Sequence, residues 1–365
     1  MPKKRKNILL VSGHPAQVHN FKNVKIVLEK NGYKVFWLAT EKDISKYLLN
    51  HYEIKYKLLN RPGKSILSKA WTLIKNNWLS WRYIRKKKID LVVSRVSPYV
   101  SLAALLAGKP HIGMSDTETS GMYDTIFGLT LSALLTSTSF KRILKNDQIR
   151  FKGNIELFYL HPNRFQAKDD VHDLLKISES EPYIILRFVS WDAYHDKGLS
   201  GFTDENKRKA VEEFSKYGRV FITSEIELPE GLEPYRINIP PERMHDVLAH
   251  TKLFFGESAT MASESAVLGR PAIFLDKHGR GYTDEEVEYG LVYNFKNSEE
   301  DQLAAIQKGV ELLQNENLEE NLHQNHNRFI SEKIDPTAFL VWFIENWPES
   351  KQIMIENPDY QDRFK

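Results

Sequence analysis

Residues 253–276 read LFFGESATMASESAVLGRPAIFLD, and this run orders into strand, small-residue turn, helix, break and second strand. Leu253, Phe254 and Phe255 form a short apolar strand, and Gly256 to Ser258 let the backbone turn tightly. The small residues that follow open a helix, and Leu268-Gly269-Arg270-Pro271 stops it before a second strand. A helix that begins just past a strand end presents unpaired N–H groups and the positive end of its dipole, which suits a diphosphate. The residues placed around that anion are Glu257, Ser258, Ala259, Thr260 and Met261, with the Ser258 and Thr260 hydroxyls as further donors. Glu264, one turn inside, can accept hydrogen bonds from a ribose diol. Plain helix capping would select the same small polar residues.

Working outward, strands and helices alternate. Asn7–Val11, a helix over Asn20–Asn31 ended by Gly32, and Lys34–Ala39 make a βαβ unit, hence a parallel sheet. Strands at Leu91–Ser94 and His111–Met114 continue it. A break falls near 153–165, after which Tyr183–Phe188, a helix at Glu205–Tyr217, Arg219–Thr223 and a helix at Met244–His250 build a second doubly wound unit. Ser298–Asn315 and the stretch holding Phe339, Leu340, Trp342 and Phe343 read as late helices. The predicted fold class is α/β, two Rossmann-like domains facing across a cleft, with domains at 1–158 and 159–340 and a final helical segment at 341–365.

Composition agrees with a two-domain enzyme. The chain has 365 residues, 41% hydrophobic and 27% charged, more than one core usually spans. With no cysteine, disulfides, thiolate catalysis and Cys-ligated metals are excluded, which fits a cytoplasmic setting. No apolar run approaches the roughly 20 residues of a membrane span, and the opening MPKKRKN runs directly into a strand. A net charge of +3 gives no case for nucleic acid as a partner.

The 253–276 run resembles the second-domain signature of GT-B glycosyltransferases and UDP-N-acetylglucosamine 2-epimerases, through Ser258, Thr260, Glu264, Leu268, Gly269 and Pro271. Over nearly its whole length the chain is similar to the family catalogued as domain of unknown function 354, through VSGHPAQVHNFK near the start, GMSDTE at 113–118, ILRFVSWDAYHDKG at 185–198 and the run above. The resemblance implies a GT-B fold whose C-terminal helix returns to the first domain. It also implies a nucleotide-sugar substrate, most plausibly UDP-linked, and no bound metal or other cofactor. It places a histidine where this chain has Gln17, which cannot take a proton.

Candidate bases therefore lie nearby. His14 and His19 follow the first strand, and histidine suits proton transfer near neutral pH. Asp116 and Glu118, at i and i+2 after the strand at His111, can divide base and sugar-ligand roles, with capping as the plain alternative. Arg187 and Ser190, with Trp191 and His195, lie in the loop that the resemblance brings to the diphosphate. Arg243, Met244 and His245 stand where it expects the nucleotide base, and Lys277, His278 and Arg280 form a loop suited to phosphate or to solvent.

Leu67, Trp71, Ile74, Trp78 and Trp81 recur at helical spacing, with lysines and arginines on the other face. Packing of this stripe on the sheet is the favoured reading, and contact with an anionic membrane surface the other. Residues 62–65, PGKS, lack the earlier glycine of a P-loop, and no G-x-G-x-x-G follows a strand. His323 and His326 are read as surface residues. Together these features point to a nucleotide-sugar-dependent glycosyltransferase in surface polysaccharide or glycolipid biosynthesis. It would use a sugar or lipid-linked acceptor and sit in the cytoplasm, peripheral to the inner membrane face. A nucleotide-sugar 2-epimerase and a non-catalytic nucleotide-sugar binding module are the alternatives.

Overall fold

The computed structural model describes residues 6–365 except 62, 64, 117, 119–125, 190–200 and 225–226. The chain divides into two compact units, Met1–Arg164 with Lys333–Lys365, and Phe165–Glu332. The divisions therefore fall at 164/165 and 332/333 rather than at 158/159 and 340/341.

Unit 1 runs β1 (Asn7–Ser12), α1 (Pro15–Lys30), β2 (Lys34–Thr40), α2 (Asp43–His51), β3 (Lys57–Leu59), α3 (Ile66–Lys86), β4 (Leu91–Ser94), α4 (Pro98–Leu106), β5 (His111–Ser115), β6 (Ala133–Ser137), β7 (Ile149–Phe151) and α5 (Leu157–Leu160). Unit 2 follows with α6 (Val171–Leu175), β8 (Tyr183–Phe188), α7 (Asp204–Phe214), β9 (Arg219–Ser224), α8 (Met244–His250), β10 (Leu253–Gly256), α9 (Ala259–Val267), β11 (Ala272–Leu275), α10 (Gly281–Glu288), β12 (Val292–Phe295), α11 (Glu299–Gln314) and α12 (Leu318–Glu332). Two helices, α13 (Pro336–Glu345) and α14 (Glu349–Glu356), complete unit 1.

The unit 1 sheet has seven strands in the order β3-β2-β1-β4-β5-β6-β7, and the unit 2 sheet five in the order β12-β11-β10-β8-β9. All registered pairs are parallel. Strands covered on both faces need continuous apolar runs, and LVVS in β4, ALLTS in β6 and AIFL in β11 are buried at every position. The strand order reverses between β1 and β4 in one sheet and between β8 and β10 in the other. At such a point neighbouring connections leave toward opposite faces and open a crevice at the strands' carboxyl ends.

Helix α1 begins at Pro15, five residues before the expected start at Asn20. Pro15 stands at its first position, where a missing N–H costs nothing, and the His14 side chain accepts from the Ala16 amide at 3.3 Å as N-cap. The extra turn places Val18, His19 and Phe21 on the buried face.

The tail is tied to unit 1 by specific bonds. Arg164 pairs with Asp335, which caps α13 at the Ala338 amide, and Thr337 donates to the Phe158 carbonyl at 2.8 Å. Phe339 stacks among Phe151, Phe343 and Phe364.

The Trp stripe on α3 does not pack on the sheet. Trp71 is 67% exposed, Trp78 51% and Leu67 84%, and only Trp81 joins the core against the sheet. The buried face of α3 is polar instead: Asn76 bonds the Asn60 backbone, Asn77 the Pro98 carbonyl and Ser80 the Tyr99 carbonyl. His326, expected at the surface, lies half-buried beneath Gly269 and bonds the Val267 carbonyl at 2.7 Å.

His111 is buried with its Nε2 2.8 Å from the Ser94 hydroxyl, and burial pushes its pKa down to about 3. The unfolded chain, with a histidine near 6.5, then binds more protons than the native state between these values. Stability should be level above about pH 6.5 and decline as pH falls toward 3, by at most roughly 1.4 kcal/mol per pH unit from this group. In urea unfolding at pH 7 and pH 5, His111→Gln should lose part of that decline; an unchanged decline would exclude His111 as its source.

Candidate functional site

At the unit 2 switch point Gly256 pairs with Arg187. A Cβ at 256 would meet the Arg187 carbonyl oxygen at 2.3 Å, so the two strands approach this closely only with glycine. The Glu257 amide then donates to the same carbonyl at 3.0 Å. Ser258 caps α9, its hydroxyl accepting from the Met261 amide at 3.3 Å.

This bonding narrows the expected anion cradle. The amides of Glu257 and Met261 are already committed, because one extends the strand ladder and the other receives the cap. The amides of Ser258, Ala259 and Thr260 make no hydrogen bond among the described residues, and these three residues are half-buried. The Ser258 hydroxyl, an acceptor toward Met261, keeps its own proton to donate. The buried Glu257 carboxylate has a different task from phosphate binding: it accepts from the Val189 amide at 3.1 Å and the Phe202 amide at 2.8 Å, on either side of residues 190–200. Ser190, Trp191 and His195 lie outside the described residues.

One turn into α9, buried Glu264 meets His245 of α8, Oε1 to Nε2 at 2.9 Å. The edge of Phe165 covers the imidazole, ring centres 6.2 Å apart. The sequence singled out both residues but not their pairing, which only the packing of α8 against α9 reveals.

Arg243 does not offer a free charge to phosphate. Its guanidinium binds Asp170, and its Nε binds Asp246 at 2.6 Å, while Asp246 also receives the Lys168 amide at 3.0 Å. Met244 follows, half-buried, at the first position of α8. Arg187 directs Nη1 to Thr223 on β9 at 2.8 Å, on the side of β8 away from β10. Arg280 pairs with Asp276 at 2.9 Å, and Asp276 also accepts the His278 amide at 3.0 Å, so this loop is internally braced.

In unit 1, His14, Asp116 and Arg95 gather at the other switch point. Arg95 follows β4 and Asp116 follows β5; they form a close ion pair, and Arg95 also donates to Asn20 at 3.1 Å. Burial draws the His14 pKa down to about 4, aided by Lys42 and Arg95 and opposed by Asp116. The residue as a whole is exposed to solvent. At neutral pH the imidazole is uncharged, and because Nδ1 accepts from Ala16, its proton sits on Nε2. His14 therefore presents a donor.

His19, by contrast, is a core ring between Tyr52 and Tyr159, with centres 5.9 and 5.4 Å away, and is not placed to act as a base. Gln17 accepts from the Gly13 amide at 2.6 Å and fixes the turn after β1. Asp116 and Glu118 take separate partners: Glu118 Oε1 lies 3.5 Å from the Lys141 amide, and the Glu118 carbonyl accepts from Arg142 at 3.0 Å. Arg95, the centre of this cluster, was not among the expected residues; its place directly after the strand LVVS is the signal that could have marked it.

Two doubly wound parallel sheets of this kind have counterparts among solved structures. A Listeria monocytogenes protein assigned as a UDP-N-acetylglucosamine 2-epimerase aligns with a TM-score of 0.65 at 14% identity, covering 94% of this chain and 98% of that one. The S. aureus MnaA–UDP structure gives 0.64 at 13% identity, covering 99% and 98%. Acinetobacter baumannii MurG gives 0.57 at 16%, covering 93% and 99%. The fold is of the GT-B type. No family model matches the chain and no curated protein matches it, so the likeness to the unknown-function family rests on the sequence stretches alone.

Proposed function

We propose that this chain is a nucleotide-sugar-dependent glycosyltransferase with a UDP-linked donor. The observation that carries the reading is the first turn of α9, where the amides of Ser258, Ala259 and Thr260 make no hydrogen bond among the described residues and the His245–Glu264 pair lies one turn inside. The S. aureus relative in fold is described as a UDP complex, which supports uridine as the base.

In this scheme the acceptor hydroxyl attacks the anomeric carbon, and the bond to the diphosphate breaks with its electron pair on the leaving oxygen. The amides at α9, the Ser258 hydroxyl and the helix dipole offset that charge where it develops. Glu264, oriented by His245, accepts from a ribose hydroxyl. In unit 1, Asp116 and His14 are the groups able to exchange protons with a bound hydroxyl: the Asp116 carboxylate accepts and His14 Nε2 donates, a division that follows from the tautomer fixed by Ala16. Epimerisation is the second reading, favoured by the higher TM-score with the 2-epimerase, 0.65 against 0.57 for MurG.

By isothermal titration calorimetry, Glu264→Ala should weaken UDP binding about tenfold, near 1.4 kcal/mol; unchanged affinity would remove Glu264 from the site. Nucleotide release only with acceptor identifies transfer, and an altered sugar without acceptor identifies epimerisation.

The exposed face of α3 supports a role at a membrane, in surface polysaccharide or glycolipid synthesis at the inner leaflet. No described helix is long and apolar enough to cross a bilayer. Ile66, Leu67, Trp71, Ile74 and Trp78 on α3 and Leu102, Leu105 and Leu106 on the neighbouring α4 are all exposed. Arg82 lies over Trp78, 4.7 Å from its ring centre, and Arg85 over Trp81 at 5.5 Å. Indole rings beside cations suit the boundary of an anionic lipid surface. The protein should float with vesicles containing phosphatidylglycerol but not with pure phosphatidylcholine, and Trp71→Ser with Trp78→Ser should abolish this; flotation unaffected by the substitutions would refute the placement.

A further inference from the structure

A cavity of about 680 Å³ lies in unit 1 at the amino edge of its sheet, the opposite edge from His14 and Arg95. One side of it is Lys6, Tyr33 and Asp90, each the residue immediately before its strand, β1, β2 and β4. The other side is the tail of the chain, with Trp342 and Glu345 on α13, Trp347 in the connection and Glu349 on α14. Two bonds tie the sides together. Lys6 Nζ donates to the Trp347 carbonyl at 3.0 Å, and Asn31 Nδ2 donates to Glu345 Oε1 at 2.8 Å.

The indole rings are set by packing, Trp342 with its centre 4.8 Å from that of Tyr360 and Trp347 at 5.9 Å from Phe343. Tyr33 differs: half-buried, it has no side-chain hydrogen bond and no ring partner among the described residues. Aromatic faces on a cavity wall suit an apolar C–H surface. The polar groups beside them are mixed. Asp90 accepts from the Asn7 amide at 2.8 Å with Lys109 4.0 Å away, Glu345 accepts from Asn31, and Glu349 makes no ion pair or hydrogen bond among the described residues. Each carboxylate therefore keeps capacity to accept. Donors stand with them: the Tyr33 hydroxyl, and the Lys6 ammonium with N–H groups beyond the one given to Trp347. A phosphate only accepts and would face the carboxylates, and an ammonium only donates and would face Lys6. A hydroxyl does both through one atom. A sugar ring carries several hydroxyls around an apolar C–H face, which matches both the rings and the mixed polar rim.

We propose that this cavity is a second carbohydrate site, binding a neutral sugar against Tyr33 and Trp347 with its hydroxyls shared among Glu345, Glu349 and Lys6. The volume falls within the span of small-ligand sites, about 300–1,000 Å³. The role of the site rests on the transferase reading: the bound sugar is an earlier unit of the glycan being extended, held at the far edge of the sheet from the His14 cluster. A second hold of this kind raises the local concentration of acceptor ends between additions.

Saturation-transfer difference NMR on the full chain, with maltotriose, cellotriose and chitotriose as probes and no nucleotide present, tests the site. At least one trisaccharide should bind. Tyr33→Ala should weaken it about fivefold, the scale of one aromatic contact, and leave UDP affinity and the melting transition unchanged. Glu349→Gln, at an exposed position, is the second variant and should weaken the same sugar. Binding of none of the three, or binding that ignores both substitutions, would overturn the proposal. So would spermidine binding that Tyr33→Ala and Glu349→Gln abolish while the sugars do not compete with it, since that assigns the carboxylates to an amine. Failure of the nucleotide reading appears separately, as UDP affinity insensitive to Glu264→Ala, and leaves the trisaccharide titration readable.

Discussion

The close passage of β10 against β8 governs the candidate nucleotide site. Gly256 has no side chain, so the Arg187 carbonyl can lie where a Cβ would stand, and the Glu257 amide closes on it at 3.0 Å. With the backbone fixed there, the chain has one residue, Ser258, in which to leave the strand and cap α9. The Glu257 side chain is simultaneously turned back to the amides of Val189 and Phe202. A carboxylate receiving two backbone N–H groups, each contributing on the order of 1 kcal/mol or more, is a substantial constraint on that connection. The first turn of α9 is thus held by bonds that do not involve any ligand.

Both units use the same device with different chemistry. In each parallel sheet the reversal of strand order leaves helix N-termini converging at the carboxyl edge. Unit 2 offers neutral donors, with its cations Arg243 and Arg280 matched by aspartates. Unit 1 gathers cations, among them Arg95, Lys42, Arg61 and Lys69. Amide donors suit charge that appears during a reaction.

Much of the fold was legible because parallel strands advertise themselves: LLV, LVVS, YIILRF and LFF are continuous apolar runs bounded by turn residues. Strands β3, β7 and β12 escaped, being three or four residues long with no pattern of their own, and β6 was passed over although ALLTS is an apolar run. The α9 turn was legible from Gly256 and Ser258. The commitments of its amides were not, because they depend on register with β8. His19 was misread because the helix starts at Pro15, which rotates it to the core. Arg243 was misread because Asp170 lies 73 residues away in sequence. The α3 stripe was misread for a different reason: its spacing is that of a core face, yet its asparagines and serine make the inward bonds while its tryptophans face out.

The central claim is that the first turn of α9 holds a nucleoside diphosphate, and hydrogen exchange measured with and without UDP tests it most directly. The account predicts slowed exchange at the amides of Ser258, Ala259 and Thr260, with Met261 little changed because its amide is already bonded to Ser258. UDP binding that leaves 258–260 exchanging as in the free protein would contradict it.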